Sequence, residues 1–391
     1  MSALPLSGVV VVEMTHTVMG PSCGVVLADL GADVIRLELA PDGDRTRRLS
    51  GFASGFFAYF NRNKRCLCVD LKSAEGLEIA RNLIRRADVL VENFGPGTVE
   101  KLKLGYEDTK ALNPRLIYCA LKGFLPGPYE HRPALDEIVQ YMTGLAYMTG
   151  PPGQPLRAGS SVIDIMGGVM GAVAILAALR QRDADGQGRK VTSSLYESAA
   201  FLVGQHMAGE AATGIPSPPM PARVSAWGVY ETFAAADAPI FIGVTSDAHW
   251  RGFCAVFERP DLLEDARFAS NNSRVTHRAA LREIVAGLVA TRPIAALTEA
   301  FDQAGIPFSP VRKPGDLFDD PQMNVAGRML EVRMPKGNVA KLPPLPVGLE
   351  DGTPTLRRQP PGIGEHDDEI LAWLGYAPDA VARLRETGTV I

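Results

Sequence analysis

The first third of the chain alternates two hydrophobic periods, and that alternation limits the fold more than any other feature. "GVVVVEM" (8–14) is a continuous apolar run, the pattern of a parallel strand buried on both faces. "GPSCGVVLADLG" reads as a helix, with Gly31 placed to end it. "ADVIRLE" is the next strand, and "RCLCVDL" alternates as a half-buried strand would. Ser73 stands as N-cap before "AEGLEIARNLIRRA". "DVLVENF" and, after another helical stretch, "RLIYCALKGF" return as strands. Strands alternating with helices require crossover connections, so the fold class expected is α/β with a Rossmann-like parallel sheet.

The middle of the chain changes character. "ATGIPSPPMPARVSAWG" (212–228) is rich in Pro, Gly and Ser and reads as a linker. "VYETFAAADAPIFIGVT" then has the form of an antiparallel hairpin turning at Ala236-Asp237. Helical segments follow to about Ala304, then the strand "IPFSPVRK", the Pro-rich "KLPPLPVG" and a terminal helix. The expected organisation is a large α/β domain over 1–211, a linker over 212–228, a smaller α+β domain over 229–330, and a return segment over 331–391 that packs on the large domain.

Composition narrows the class. With 46% hydrophobic and 21% charged residues the chain has the make-up of a globular protein, not a disordered one. A net charge of -4 lacks the basic excess of a nucleic-acid binder. The five cysteines include no C-x-x-C pair and the six histidines show no zinc spacing, so no metal is expected, and reduced thiols point to the cytoplasm. The N-terminal "MSALPLSGVVVVE" lacks the basic flank and long apolar region of a signal peptide. Val162 to Leu179 is about long enough to span a bilayer, but Asp164 and three glycines dilute it. It reads as a buried helix, and no membrane partner is expected.

The first strand-to-helix turn, "THTVMGPSCG", lacks G-x-G-x-x-G, so the dinucleotide fingerprint is absent. Basic residues gather after the strands: Arg36, Arg45, Arg47, Arg48, Arg62, Lys64, Arg65 and Lys72. They suit either a phosphate-rich ligand at the carboxyl edge of the sheet or a solvated basic rim. The Gly95-Pro96-Gly97 turn opens a helix at Thr98, where backbone N–H groups offer an anion site.

"SSVIDIMGGVMGAVAILAAL" (160–179) holds a single charge, Asp164. "SVID" fits a capping box, in which Ser161 caps the helix and Asp164 reaches back to a backbone N–H. Alternatively Asp164 is a nucleophile that the helix N-terminus keeps ionised, by roughly 0.3–1 kcal/mol. Gly167 and Gly168 either leave room for a bulky ligand beside it or serve helix packing; from Gly171 onward the small-residue stripe reads as packing.

Taken in order, "GDRTR", "FNRNKRCLCVDLK", "ADVLVENFGPGTVEKL", "LNPRLIYCALKGF", "LDEIVQYMTGL", "DIMGG", "DARFASNNSRVTHRAAL" and "AGIPFSPVRKPGDLFDDPQM" resemble the class III CoA-transferases, to about residue 350. That family includes formyl-CoA transferase and the carnitine CoA-transferase group. The resemblance implies that Asp164 is the catalytic nucleophile, passing through an aspartyl mixed anhydride and an aspartyl-CoA thioester. It implies CoA contacts at Val18, Met19, Leu39, Val69, Lys72, Asn93, Phe94, Lys101, Arg132 and Asp136. CoA thioesters enter as substrates, with no permanently bound cofactor. The implied assembly is a homodimer of two interlocked rings, with the Pro-rich linker serving the embrace. The chain departs from the family at Val18, where a glutamine is usual, and at Leu39, where an arginine is. "VSAWGVYE" stands where formyl-CoA transferase has its glycine-rich loop. These departures turn the reading away from formate and oxalate. Arg157, seven residues before Asp164, suits a distal carboxylate, with His16 helping, which suggests a small dicarboxylic acid such as succinate, mesaconate or itaconate. Two alternatives stay open: an acyl-CoA racemase of the same fold, although Leu135 replaces the histidine it needs, and a non-catalytic acyl-CoA-binding protein.

Overall fold

The computed structural model describes residues 4–350 and 353–391. Six strands form one parallel sheet: β1 (Val10–Met14), β2 (Asp33–Leu39), β3 (Lys64–Val69), β4 (Val89–Glu92), β5 (Ile117–Lys122) and β6 (Arg189–Ser194). Their order is β3-β2-β1-β4-β5-β6, the doubly wound arrangement that the sequence alternation implies. The order reverses between β1 and β4, so their carboxyl ends flank a crevice.

Alternate residues of the central strands supply the two cores. Val12, Met14, Ile35, Leu67 and Leu90 face α2 (Ala74–Arg86) and the two C-terminal helices, Asp367–Leu374 and Pro378–Glu386. Val11, Val34, Val89, Val91 and Ile117 face α1 (Met19–Asp29) and the long apolar helix α4 (Val162–Asp185). Between these helices lies the short α3 (Asp136–Met142), and α5 (Leu195–Thr213) follows β6. Ser73 caps α2 as its sequence implies, accepting from the Gly76 N–H at 2.9 Å. The membrane-length run is therefore a core helix, one face of which packs on the sheet.

β3 differs from the alternating strand expected of it: all six residues are buried. It is an edge strand, and the C-terminal segment covers it. The Cys66 N–H donates to His366 Nδ1, the Cys68 N–H to Asp367 Oδ1 at 2.9 Å, and the Asp70 N–H to the Thr389 carbonyl. These acceptors, two side chains and one backbone carbonyl, satisfy edge groups that would otherwise invite strand addition.

By internal contact the chain divides into residues up to 221 with 321–391, and residues 222–320. The first division falls inside the Pro-rich stretch 212–228, and the second falls at 320–321, before the 330 expected. The smaller unit is a three-stranded antiparallel sheet, β7 (Val229–Ala234), β8 (Pro239–Val244) and β9 (Phe308–Pro310), packed on helices through Trp250, Phe253, Phe268 and Phe301. A hairpin, β10 (Leu330–Arg333) and β11 (Val339–Leu342), returns to the larger unit against Ala58.

Candidate active site

The crevice at the strand reversal is closed by a reciprocal pair of hydrogen bonds. The His16 N–H donates to Asn93 Oδ1, and Asn93 Nδ2 donates to the His16 carbonyl, both at 2.9 Å. His16 follows β1 and Asn93 follows β4, so this pair ties the two ends where ligands enter such sheets. The next residue, Thr17, has φ +66°. A β-branched side chain in the left-handed region costs on the order of 1–3 kcal/mol unless its surroundings enforce it.

A buried charge network lies beneath the neighbouring Thr15. Glu13, fully buried at the end of β1, accepts from the Thr15 hydroxyl at 2.9 Å and pairs with Lys64 at 2.7 Å and with Arg36. Arg36 donates to the Thr15 carbonyl at 3.1 Å and also pairs with Glu38 and Asp44. Burial pulls the Lys64 ammonium down to about 8 against the attraction of Glu13. Arg47 pairs with Glu38, Arg62 with Asp29, and Arg65 with Asp33 and Glu369. Most of the basic residues gathered after the strands are thus neither a phosphate cradle nor a solvated rim. They are internal partners of acidic residues, and ion pairs of this kind fix geometry more than they add stability.

Asp164 sits in the first turn of α4 and lines a cavity of about 250 Å³ with His16, Val18, Met19, Asp136 and Arg157. The capping-box reading does not hold, since the Ser161 side chain makes no cap bond. Asp136 caps the helix from outside: its Oδ2 accepts from the N–H groups of Ile163 at 2.8 Å and Asp164 at 3.0 Å. Gln140 Nε2 donates to Oδ1 of Asp136, and Gln140 Oε1 accepts from the Ala158 N–H, which pins the loop before α4. The positive end of the helix is therefore already occupied by a carboxylate. Asp164 meets burial and a like charge instead of a favourable dipole, and its carboxyl is pushed up to about 7, by desolvation first, then by Asp136 and Glu137. The expectation that the helix end keeps it ionised is corrected accordingly.

Gly167 and Gly168 are also corrected. A Cβ on Gly167 would lie 2.7 Å from Met19 Cε, and one on Gly168 would lie 2.5 Å from the Met19 carbonyl and 2.7 Å from Ser22 Cβ. They let α4 press against α1 and make no room for a ligand; Gly171 does the same against Leu121. The close approach positions Met19, and so the wall facing Asp164.

The remaining sequence-derived contacts separate into groups. Leu39 and Phe94 line a neighbouring cavity of about 420 Å³ that shares His16 and Thr17 with the first and has Arg45 in its wall. Arg157 lines the Asp164 cavity and lies 3.4 Å from Glu137. Lys72, Lys101 and Arg132 are exposed and line neither cavity; Arg132 lies over the Tyr129 ring. Val69 is fully buried, and its backbone is bridged to Val390, so its side chain faces core and not crevice. Sequence reasoning missed the Glu13–Arg36–Lys64 network, although a charge ending the run "VVVVE" was its signal. It also missed the aromatic run Phe52, Phe56, Phe57, Tyr59 and Phe60, five rings within ten residues, part of which flanks the Asp164 cavity. Among the described residues no group of His, Cys, Asp and Glu is arranged to hold a metal.

Comparison with known proteins bears on this crevice. The CoA-transferase family III description matches residues 6–367. The chain belongs to that family. The protein is a CoA-transferase of class III. It is 33% identical to succinate–glutarate CoA-transferase of Agrobacterium fabrum, over 95% of this chain and 96% of that one. It is 34% identical to succinyl-CoA:mesaconate CoA-transferase of Haloarcula hispanica, over 92% and 94%. The crystal structure of a CAIB/BAIF family protein from Brucella suis superposes with a TM-score of 0.87 at 31% identity, covering 95% of this chain and all of that one. The CoA-transferase thus keeps the fold of its relatives over almost its whole length.

Proposed function

We propose that this CoA-transferase moves CoA from succinyl-CoA or a similar donor to a small dicarboxylic acid, with Asp164 as nucleophile. The observation that carries the reading is the Asp164 carboxyl, desolvated, raised to about 7, and facing a cavity that also holds Arg157. A carboxylate that holds its proton more tightly is also a stronger nucleophile once ionised, and partial burial strips some of the water that would blunt it. One Asp164 oxygen attacks the thioester carbonyl, the C–S bond breaks, and CoA leaves as thiolate. The thiolate then attacks the Asp164 carbonyl, the C–O bond breaks, and the donor acid departs as carboxylate. The acceptor carboxylate reverses both steps and leaves as its CoA ester. Proximity of the held thiolate supplies most of the rate.

Arg157 suits the distal carboxylate: its partner Glu137 is half-exposed and 3.4 Å away, a loose pair that a substrate carboxylate can replace. The names of the relatives that act on succinate, glutarate and mesaconate support the same acid class. In this reading the pantetheine arm lies in the His16–Leu39–Phe94 cavity, with Arg45, Lys72 and Lys101 available to phosphates. The exposed apolar residues Val173 on α4 and Phe201 and Met207 on α5 support a homodimer, interlocked as in the family, in a reducing cytoplasm that suits five buried thiols.

Donor alone tests the mechanism. Incubation with succinyl-CoA followed by hydroxylamine should leave a hydroxamate on the peptide holding "SSVIDIMGG", and none in Asp164→Ala. Full turnover without any trapped Asp164 would replace the covalent route with direct transfer. Sedimentation velocity tests the dimer, which a monomer at micromolar concentration would refute.

A further inference from the structure

A second cavity adjoins the Asp164 cavity and differs from it in chemistry. It has a volume of about 350 Å³, is open on one side, and is walled mainly by Phe56, Tyr59, Phe60, Ile165, Met334 and Leu342. Phe52, Phe56, Arg157 and Ser161 line both cavities, so the two are continuous. Consecutive residues of α4 face them: Asp164 lines the first and Ile165 the second. The rings are held edge to face, Phe56 to Phe60 at 6.4 Å and Tyr59 to Phe60 at 4.9 Å, and Ile165 packs with them around buried Val18 and Val25. Charge enters only at the shared wall, through Arg157.

Neither Asp164 nor the thiol arm of CoA calls for an aromatic chamber on this side. A plain four-carbon dicarboxylate has nothing apolar to fill it, and an apolar cavity of about 150 Å³ already holds a benzene ring. We propose that the substrate class is narrower than small dicarboxylic acids. The acid is a succinate that carries a bulky apolar substituent, an aryl or branched alkyl group, which enters the aromatic chamber while Arg157 takes the second carboxylate. This inference rests on the transferase reading above and deepens it. The chamber walls Met334, which follows β10, and Leu342, which ends β11, then set specificity although they lie far from Asp164 in the chain.

The test compares isotope-labelled succinate with 2-phenylsuccinate as acceptors from unlabelled succinyl-CoA, reading label incorporated into the CoA ester in the first case and the new ester in the second, and measures binding of 2-phenylsuccinate to the protein by calorimetry. In the wild type, kcat/KM for 2-phenylsuccinate should exceed that for succinate at least tenfold. Leu342→Trp fills the chamber and should erase that advantage while leaving succinate within about twofold. Met334→Trp should act likewise and serves if the first variant loses its circular dichroism. Equal rates for the two acids, or a phenylsuccinate advantage that survives both tryptophans, would overturn the proposal and leave the Asp164 mechanism standing. If no acid accepts CoA and Asp164 is never acylated, the transferase reading fails separately. Calorimetry then decides the chamber alone: binding weakened tenfold by Leu342→Trp supports it, and binding that is absent or unchanged refutes it.

Discussion

Replacing the Asp164 carboxylate by an amide should stabilise the protein, and the pH dependence of the gain identifies its cause. The Asp164 carboxyl stands near 7 in the folded chain, well above the ordinary aspartate value of 3.8, raised by burial, Asp136 and Glu137. Between those two values the folded state keeps a proton that the unfolded state has released. Stability therefore falls as pH rises through this window, and the full penalty is present above about pH 7. At ~1.36 kcal/mol for each tenfold change in proton affinity, the rise from 3.8 to about 7 sets a ceiling of about 4 kcal/mol. Asp164 is partly open to solvent, so screening reduces this to about 2 kcal/mol. Asp164→Asn removes the charge at constant shape and should regain that amount at pH 8. For a unit of this size the gain corresponds to a melting temperature higher by roughly 2–5 °C. Thermal unfolding of both proteins at pH 8 and pH 4 measures it. The difference should shrink to nearly nothing at pH 4, where wild-type Asp164 is neutral. An equal gain at both pH values, or a loss at pH 8, would show that the buried charge is not what the substitution relieves.

Three further outcomes follow from the same geometry. In the proposed mechanism Asp164 attacks as the anion, so kcat/KM should rise with pH through about 7 and then level, and a profile flat from pH 5 to 8 would contradict the raised carboxyl. Asp136→Asn keeps an acceptor for the Ile163 and Asp164 N–H groups but removes the like charge, so it should move that acid limb to lower pH, whereas Asp136→Ala strands those donors and should cost about 1–3 kcal/mol in urea unfolding. Gly168→Ala forces a methyl toward the Met19 carbonyl and should destabilise by about 1–3 kcal/mol, with KM unchanged for acyl-CoA donors of different size; unchanged stability with a raised KM would return Gly168 to the substrate.

What the chain reveals on its own is whatever depends on neighbours within one element. The run "GVVVVEM" announces a strand buried on both faces, Ser73 announces a helix start, and Gly31, at φ +110°, stands just past a helix end that only a glycine accommodates easily. From such signals the parallel sheet follows, because strands joined through helices have few other ways to bury their faces. Asp164 also stands out, since one carboxylate in a long apolar run is conspicuous in any reading. Its state is another matter. Ser161 is the local candidate for the helix cap, yet Asp136, 28 residues away, takes that place and reverses the electrostatics that Asp164 feels. The same holds for Gly168, whose meaning lies in α1, and for Arg36 and Lys64, which look like ligands for phosphate until Glu13 is found beside them. Periodicity and capping report on contacts a few residues apart. The partner of a charge and the far side of a glycine are chosen by tertiary packing, where residues distant in the chain compete for the same buried space, and only the folded chain decides which of them arrives.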